Sequence, residues 1–308
     1  MNALLTITAA AAGLAVAGTA SAQLIAYEGY DVPPYGDDAG LNGQNPAASA
    51  TSFGWDGAWS VGSANLQSDA GSLNNAATAY DDLTTGKGRY LASGFTAFRR
   101  GNRNIASYTA SDTYYMSMFV NGGGSFNSDD RGYAVAGFTN FMTEGAFENT
   151  SADNGFGLFA GFRGEDAGAD ADQADLILRA RGASGDLEDT VLLSNVDSNT
   201  YHVLYKLEVN VGGGSADQVT YWGNPSDLTD EASMSATAAA TGSVSTFSMD
   251  TNSRIDRFTV ISNEWNRSFF WDETRFGYDL DCVTGSPTPA AAGLLGRGGL
   301  LAARRRRA

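Results

Sequence analysis

Four aspartates crowd one short stretch, "EDAGADADQAD", at Asp166, Asp170, Asp172 and Asp175. Hard carboxylate oxygens on a Gly/Ala loop suit Ca²⁺, the one cofactor that the sequence suggests. The stretch lacks the glycine and terminal glutamate of an EF-hand, and a solvated acidic loop is the simpler alternative. Sugar recognition needs other groups: flat aromatic faces for the C–H side of a pyranose, and amides for its hydroxyls. "SNEWNRS" sets Trp265 between Asn263 and Asn266, and Trp55 sits among glycines. These four are the candidate glycan-binding residues, although for any single Trp core packing is the simpler reading.

Bond-breaking chemistry is harder to find. Glycoside hydrolysis on a strand needs carboxylates at E-x-D-x-x-E-type spacing, so that they project from one face. No such run occurs. Asp272 and Glu273 are adjacent and are expected on opposite faces, as are Glu188 and Asp189. His202, the sole histidine, is expected at the surface beside Lys206 and Glu208, and no G-x-S-x-G accompanies it. Cys282 is the sole cysteine, which excludes an intrachain disulfide and a cysteine-based zinc site. It reads as a buried or incidental thiol. No catalytic residue is assigned, and the expectation is a protein that is not an enzyme.

The elements that must position these residues read as β throughout. Residues 200–211, "TYHVLYKLEVNV", put Tyr201, Val203, Tyr205, Leu207, Val209 and Val211 on one face. His202, Lys206, Glu208 and Asn210 fall on the other, interrupted by Leu204, which is the pattern of a half-buried antiparallel strand. Similar segments are expected at 112–121, 131–139, 155–163, 175–182, 217–224, 254–262 and 269–277, with shorter ones at 24–28, 59–61, 89–95 and 191–194. Gly/Asn/Asp/Ser clusters separate them. Residues 232–241 are Ala-rich and open to strand, loop or short helix. About a dozen strands at this spacing predict an all-β, two-sheet antiparallel jelly-roll sandwich.

The chain has 308 residues with 35 acidic and 19 basic side chains. All the acids lie between 23 and 286, where only fourteen bases accompany them, a formal charge of −21. Such a surface disfavours nucleic acid and anionic lipid as partners. An aromatic content of 11% argues for a packed core rather than disorder.

Both ends carry targeting features. Residues 4–17 are apolar, and Ala20-Ser21-Ala22 is an A-x-A cleavage site, so 1–22 read as a secretory signal, without the usual basic residue before the apolar run. The jelly-roll domain is then expected over 23–285. At the other end come Pro287, Thr288 and Pro289, then an apolar stretch from 290 to 303, then Arg304, Arg305, Arg306 and Arg307. Fourteen helical residues span about 21 Å, short of the roughly 30 Å hydrocarbon core, so the stretch suits transient retention rather than anchoring.

This C-terminal pattern resembles a PEP-CTERM sorting signal over 286–308, departing from it at Thr288 and Arg297. The resemblance implies a membrane sorting protease (an exosortase) as partner, transient membrane contact through the tail, and delivery to the cell surface or extracellular matrix. "YEGYD", "FGWDGAWS", "TYHVLYKLEVNVGGGSADQVTYWGNP" and "WDETRFG" resemble laminin-G/concanavalin A-like jelly rolls. The expectation is therefore a secreted, surface-sorted protein of the envelope or exopolysaccharide matrix, structural or glycan-associated. A calcium-dependent lectin-like module is the alternative, and a glycoside hydrolase the third reading.

Overall fold

The computed structural model describes residues 24–31, 34–46, 52–61, 66–73, 86–91, 99–124, 132–140, 157–164, 173–182, 187–209, 217–244, 255–263, 265 and 267–285. The expected secretory signal and sorting tail lie outside these residues. Among the described residues, no helix is long and apolar enough to cross a membrane.

The described chain forms strands β1 (Leu24–Glu28), β2 (Ser52–Phe53), β3 (Trp55–Val61), β4 (Leu66–Ala70), β5 (Gly86–Tyr90), β6 (Arg99–Ile105), β7 (Thr113–Asn121) and β8 (Tyr133–Thr139). These are followed by β9 (Gly157–Gly164), β10 (Ala174–Arg181), β11 (Leu187–Val196), β12 (Thr200–Glu208), β13 (Gln218–Gly223), α1 (Glu231–Thr237), β14 (Ala240–Val244), β15 (Arg257–Asn263), β16 (Phe269–Gly277) and α2 (Leu280–Thr284). They build the expected antiparallel sandwich. One sheet has nine strands, ordered β14-β13-β12-β7-β16-β1-β2, with β5 pairing β16 beside β1 and β4 on β5. The other has seven, ordered β11-β10-β9-β8-β15-β6-β3.

The period-two pattern fills the space between the sheets. Met116, Met118 and Val120 of β7 and Val203, Tyr205 and Leu207 of β12 point inward from the nine-stranded sheet. They meet Ala136 and Phe138 of β8, Ala160 and Phe162 of β9, and Leu176 and Leu178 of β10. Alternation puts every other side chain of these strands on an outer face.

The sandwich corner is a glycine. Gly54 separates β2 from β3, has φ +80°, and a Cβ there would lie 2.0 Å from the Ile25 carbonyl oxygen. At this close approach the chain passes from one sheet to the other because a side chain is absent. Close by, Glu28 of β1 and Arg103 of β6 form an ion pair between the sheets, both buried. Tyr35 and Ser52 donate to the same carboxylate at 3.0 and 3.1 Å, and Arg103 also donates to Asn45 at 3.1 Å.

Several elements depart from expectation. The long strand stops at Glu208. The Ala-rich segment divides into α1 and β14, because Asp230 caps the helix by accepting from the Ser233 amide at 2.7 Å. β6, "RRGNRNI", carries no apolar alternation and went unread. Its inward residues include Gly101, tucked under Leu66, and the paired Arg103, with an apolar side chain, Ile105, only at its end.

Candidate functional site

The outer face of the seven-stranded sheet gathers the polar side chains most suited to a ligand. Its registers set them in four lateral rows. The first runs Asn263, Tyr133, Arg163, Asp175; the second Arg100, Ile261, Val135, Gly161, Ile177, Val191. The third runs Asn102, Thr259, Gly137, Phe159, Arg179, Asp189; the fourth Asn104, Arg257, Thr139, Gly157, Arg181, Leu187. Tyr133, Val135, Phe159, Ile177 and Ile261 form a buried apolar patch here, distinct from the core between the sheets.

Around that patch the charges are ordered. Arg179 lies 3.7 Å over the Tyr133 ring and forks onto Asp189 through Nε and Nη2 at 2.5 and 2.6 Å. Arg163 bridges Asp175 at 3.0 Å and Asp189 at 3.4 Å. Arg179 and Arg181 are buried, whereas the Arg163 side chain is 37% exposed. Asn104 is exposed, and Arg100, Asn102, Arg257 and Asn263 are half-buried. Such a surface offers amides and guanidinium forks on a regular strand array.

Of the residues singled out in the sequence, Asn263 lies on this face. Trp265 does not: it is buried in the core, stacked on Phe162 at 6.4 Å between centroids, so its ring offers no platform to a sugar. Trp55 is partly buried, donates through Nε1 to the Tyr27 carbonyl at 2.8 Å, and meets Phe258 edge-on. Asn266 is outside the described residues, as are Asp166, Asp170 and Asp172. Asp175 is buried on β10 and paired with Arg163, so a cation there would compete with a guanidinium.

A different acidic group has the spacing for a metal. One carboxylate oxygen from each of Asp37, Asp38 and Asp69 lies within 4.8 Å of the others. The strand-edge bridge between Gly40 and Gln67 brings these two segments together. Three hard donors could hold a divalent cation such as Ca²⁺. Arg89 approaches Asp38 and Asp69 at 3.4 and 3.5 Å and already supplies positive charge.

The nine-stranded sheet's outer face is closed instead. Met234 of α1 and Cys282 and Val283 of α2 pack over Leu24, Tyr27, Tyr115, Leu204 and Trp222. His202 is buried there, not at the surface, with Nε2 2.8 Å from the Ser117 hydroxyl and Phe119 at 4.7 Å between ring centroids. Burial first, and then the Arg275 charge, push its pKa down to about 3, so the ring is neutral. Cys282 is buried as expected, and burial pushes its thiol up to about 12.

Asp272 and Glu273 also depart from simple alternation. β16 exchanges β5 for β1 as its neighbour at this point, and its register with β7 shifts between Asp272 and Arg275. Glu273 takes φ +49° at that bulge. Both carboxylates therefore turn to the outer side of the sheet and are buried. Asp272 accepts from Ser72 at 2.6 Å and from the Leu73 amide at 3.0 Å; Glu273 accepts from Tyr27 at 3.0 Å and from Arg275 at 2.6 Å. Burial, and next the neighbouring Glu273 charge, raise the Asp272 pKa well above the usual carboxylate range.

An open cleft of about 580 Å³ lies beside α2, lined by Ser226, Asp227, Leu228, Thr229, Asp281, Thr284 and Gly285. Arg275 donates to the Gly285 carbonyl from below.

No protein-family profile matches the chain. No curated protein matches it either. Solved structures similar to it include an alginate lyase from Aplysia kurodai (12% identity, 63% of this chain, 84% of that one, TM-score 0.42). Others are the alginate lyase vAL-1 from Chlorella virus (8%, 70% and 93%, TM-score 0.43) and the CBM2 module of a Lactobacillus casei phage J-1 Dit protein (12%, 70% and 90%, TM-score 0.34). These neighbours are β-sandwiches, and at this identity and TM-score they assign nothing to the chain's residues. They do correct one expectation. Alginate lyases occur among sandwiches of similar shape, so the missing E-x-D-x-x-E run does not make this chain a non-enzyme.

Proposed function

We propose that this is a secreted, surface-sorted protein of the cell envelope or exopolysaccharide matrix, and that it associates with glycan through the outer face of the seven-stranded sheet. The observation that carries this reading is the composition of that face. Asn102, Asn104 and Asn263 share one strand array with Arg100, Arg163 and Arg257. Amides and guanidinium forks in a regular lattice match the repeated hydroxyls of a polysaccharide. The apolar signal at 4–17 and the Pro287–Thr288–Pro289 to Arg304, Arg305, Arg306 and Arg307 pattern support export and sorting by an exosortase-like protease, with the tail in the membrane only transiently.

A calcium-dependent, lectin-like mode is the second reading, favoured by the Asp37, Asp38 and Asp69 oxygens. Binding of the full chain to the producing organism's exopolysaccharide, with calcium and with chelator, tests both. Binding that persists in chelator supports the sheet face alone; loss in chelator supports the calcium mode. No binding in either condition refutes the glycan reading. Sizing the polymer in the same mixtures reports any cleavage.

A further inference from the structure

We infer, resting on the glycan reading above, that the ligand is an acidic polysaccharide, one bearing carboxylate or sulfate groups, and that the arginines of the seven-stranded sheet select it. Residues 23–286 carry only fourteen bases, and five of them, Arg100, Arg163, Arg179, Arg181 and Arg257, project from this one face. Facing them on the same sheet side are Asp56, Asp175 and Asp189, with Asp256 beside Arg257 at 2.8 Å. Among the described residues the face thus carries five arginines against four aspartates on a body of −21, so a polyanion meets less repulsion there than the net charge implies.

The lattice already shows how a carboxylate is held. Asp189 sits in the Arg179 fork with two short bonds, the bidentate geometry that distinguishes arginine from lysine. Arg163 is the most accessible of the ion-paired arginines here, and its contacts to Asp175 and Asp189 are longer, so a ligand anion can exchange for them. From Arg100 on β6 to Arg163 on β9 is three strand spacings, about 14 Å, enough for more than one sugar unit. Between them lie Ile261 and Asn263 of β15 and Val135 and Tyr133 of β8, with Thr259 one row to the side. The Thr259 hydroxyl is buried at 1% exposure and has no hydrogen-bond partner among the described residues. A buried hydroxyl without a partner is costly, but at this burial Thr259 is closed to a ligand, so the selection rests on the arginines.

A nucleic acid shares the charge but fits less well. The aromatic rings on the face, Tyr133 and Phe159, are 9% and 0% exposed, so no base can stack on them.

The test uses the full chain with four probes: polygalacturonate, dextran sulfate, uncharged dextran and single-stranded DNA. Binding to polygalacturonate, dextran sulfate or both is expected, weakening at high salt, with dextran and DNA bound far less. The two anionic arms separate carboxylate from sulfate recognition. Replacing two of the three partly exposed arginines together, Arg100→Gln with Arg163→Gln, is expected to weaken binding about tenfold or more while circular dichroism stays unchanged. Dextran bound as tightly as the anionic polymers overturns the inference and leaves the glycan reading intact. DNA bound more tightly than either polymer overturns the inference too, as does unaltered binding by the double variant. Failure with every polysaccharide refutes both readings.

Discussion

The two outer faces of the sandwich treat polar residues in opposite ways. On the nine-stranded sheet, α1 and α2 close over the strands, and Ser117, His202, Glu273 and Arg275 are buried and bonded to one another or to the cover. On the seven-stranded sheet, Arg163, Asn102, Asn104 and Asn263 retain solvent contact along a regular lattice. The first arrangement makes charge a structural liability that only partners offset. The second leaves charge available to a ligand, at little consequence for folding. A histidine beside a serine looks more like an active site than a row of arginines does. Here the burial of the first pair and the partial exposure of Arg100, Arg163 and Arg257 argue the other way.

Substitutions can break this contrast, and the largest effect is expected at Arg275. Arg275→Ala leaves the buried Glu273 without its counter-charge and frees the Gly285 carbonyl. Chemical denaturation is expected to read a loss of about 3–5 kcal/mol. A loss below 1 kcal/mol would mean that this face is not sealed. Next, Met234→Ala removes the buried anchor of α1 and is expected to cost about 2–3 kcal/mol, again by denaturation.

His202 supplies a pH signature. Its folded pKa of about 3 lies below the ordinary 6.5, so its contribution to stability is complete above pH 6.5. That contribution is lost as pH falls from there toward 3, because the unfolded chain takes up a proton that the folded ring refuses. The slope is about 1.4 kcal/mol per pH unit. His202→Asn should flatten this part of the stability curve; an unchanged slope would assign it to the carboxylates. The smallest effect on stability is expected at Arg163→Ala, about 1–2 kcal/mol, because its side chain is 37% exposed although its partner Asp175 is buried. A thermal melt that drops sharply in this variant would move Arg163 into the structural class.

The legibility of the chain follows the same division. Strands β7, β8, β9, β10, β12, β15 and β16 were readable because their inward residues repeat with period two against an apolar core. β6 was not, because Arg103 is inward only by virtue of Glu28, seventy-five residues away in sequence. His202 was misplaced for a related reason, and Trp265 took the core position that was its simpler reading: a strand histidine and a loop tryptophan look exposed when the layers that cover them come from elsewhere. Asp272 and Glu273 defeated simple alternation because the bulge exists only where β16 passes from β5 to β1.

By itself, then, the sequence determined the all-β class, most of the strands and which of their residues face the core, since side-chain alternation and apolar content are local properties. It also determined the net charge and the apolar and arginine-rich ends. Only the tertiary structure decided which outer face is covered and which arginines lie in neighbouring rows. Arg100 and Arg257 share the face through the pairing of β6 with β15, and Arg163 and Arg179 through that of β9 with β10. Register is set by the mutual packing of distant strands, and no local window of sequence contains it.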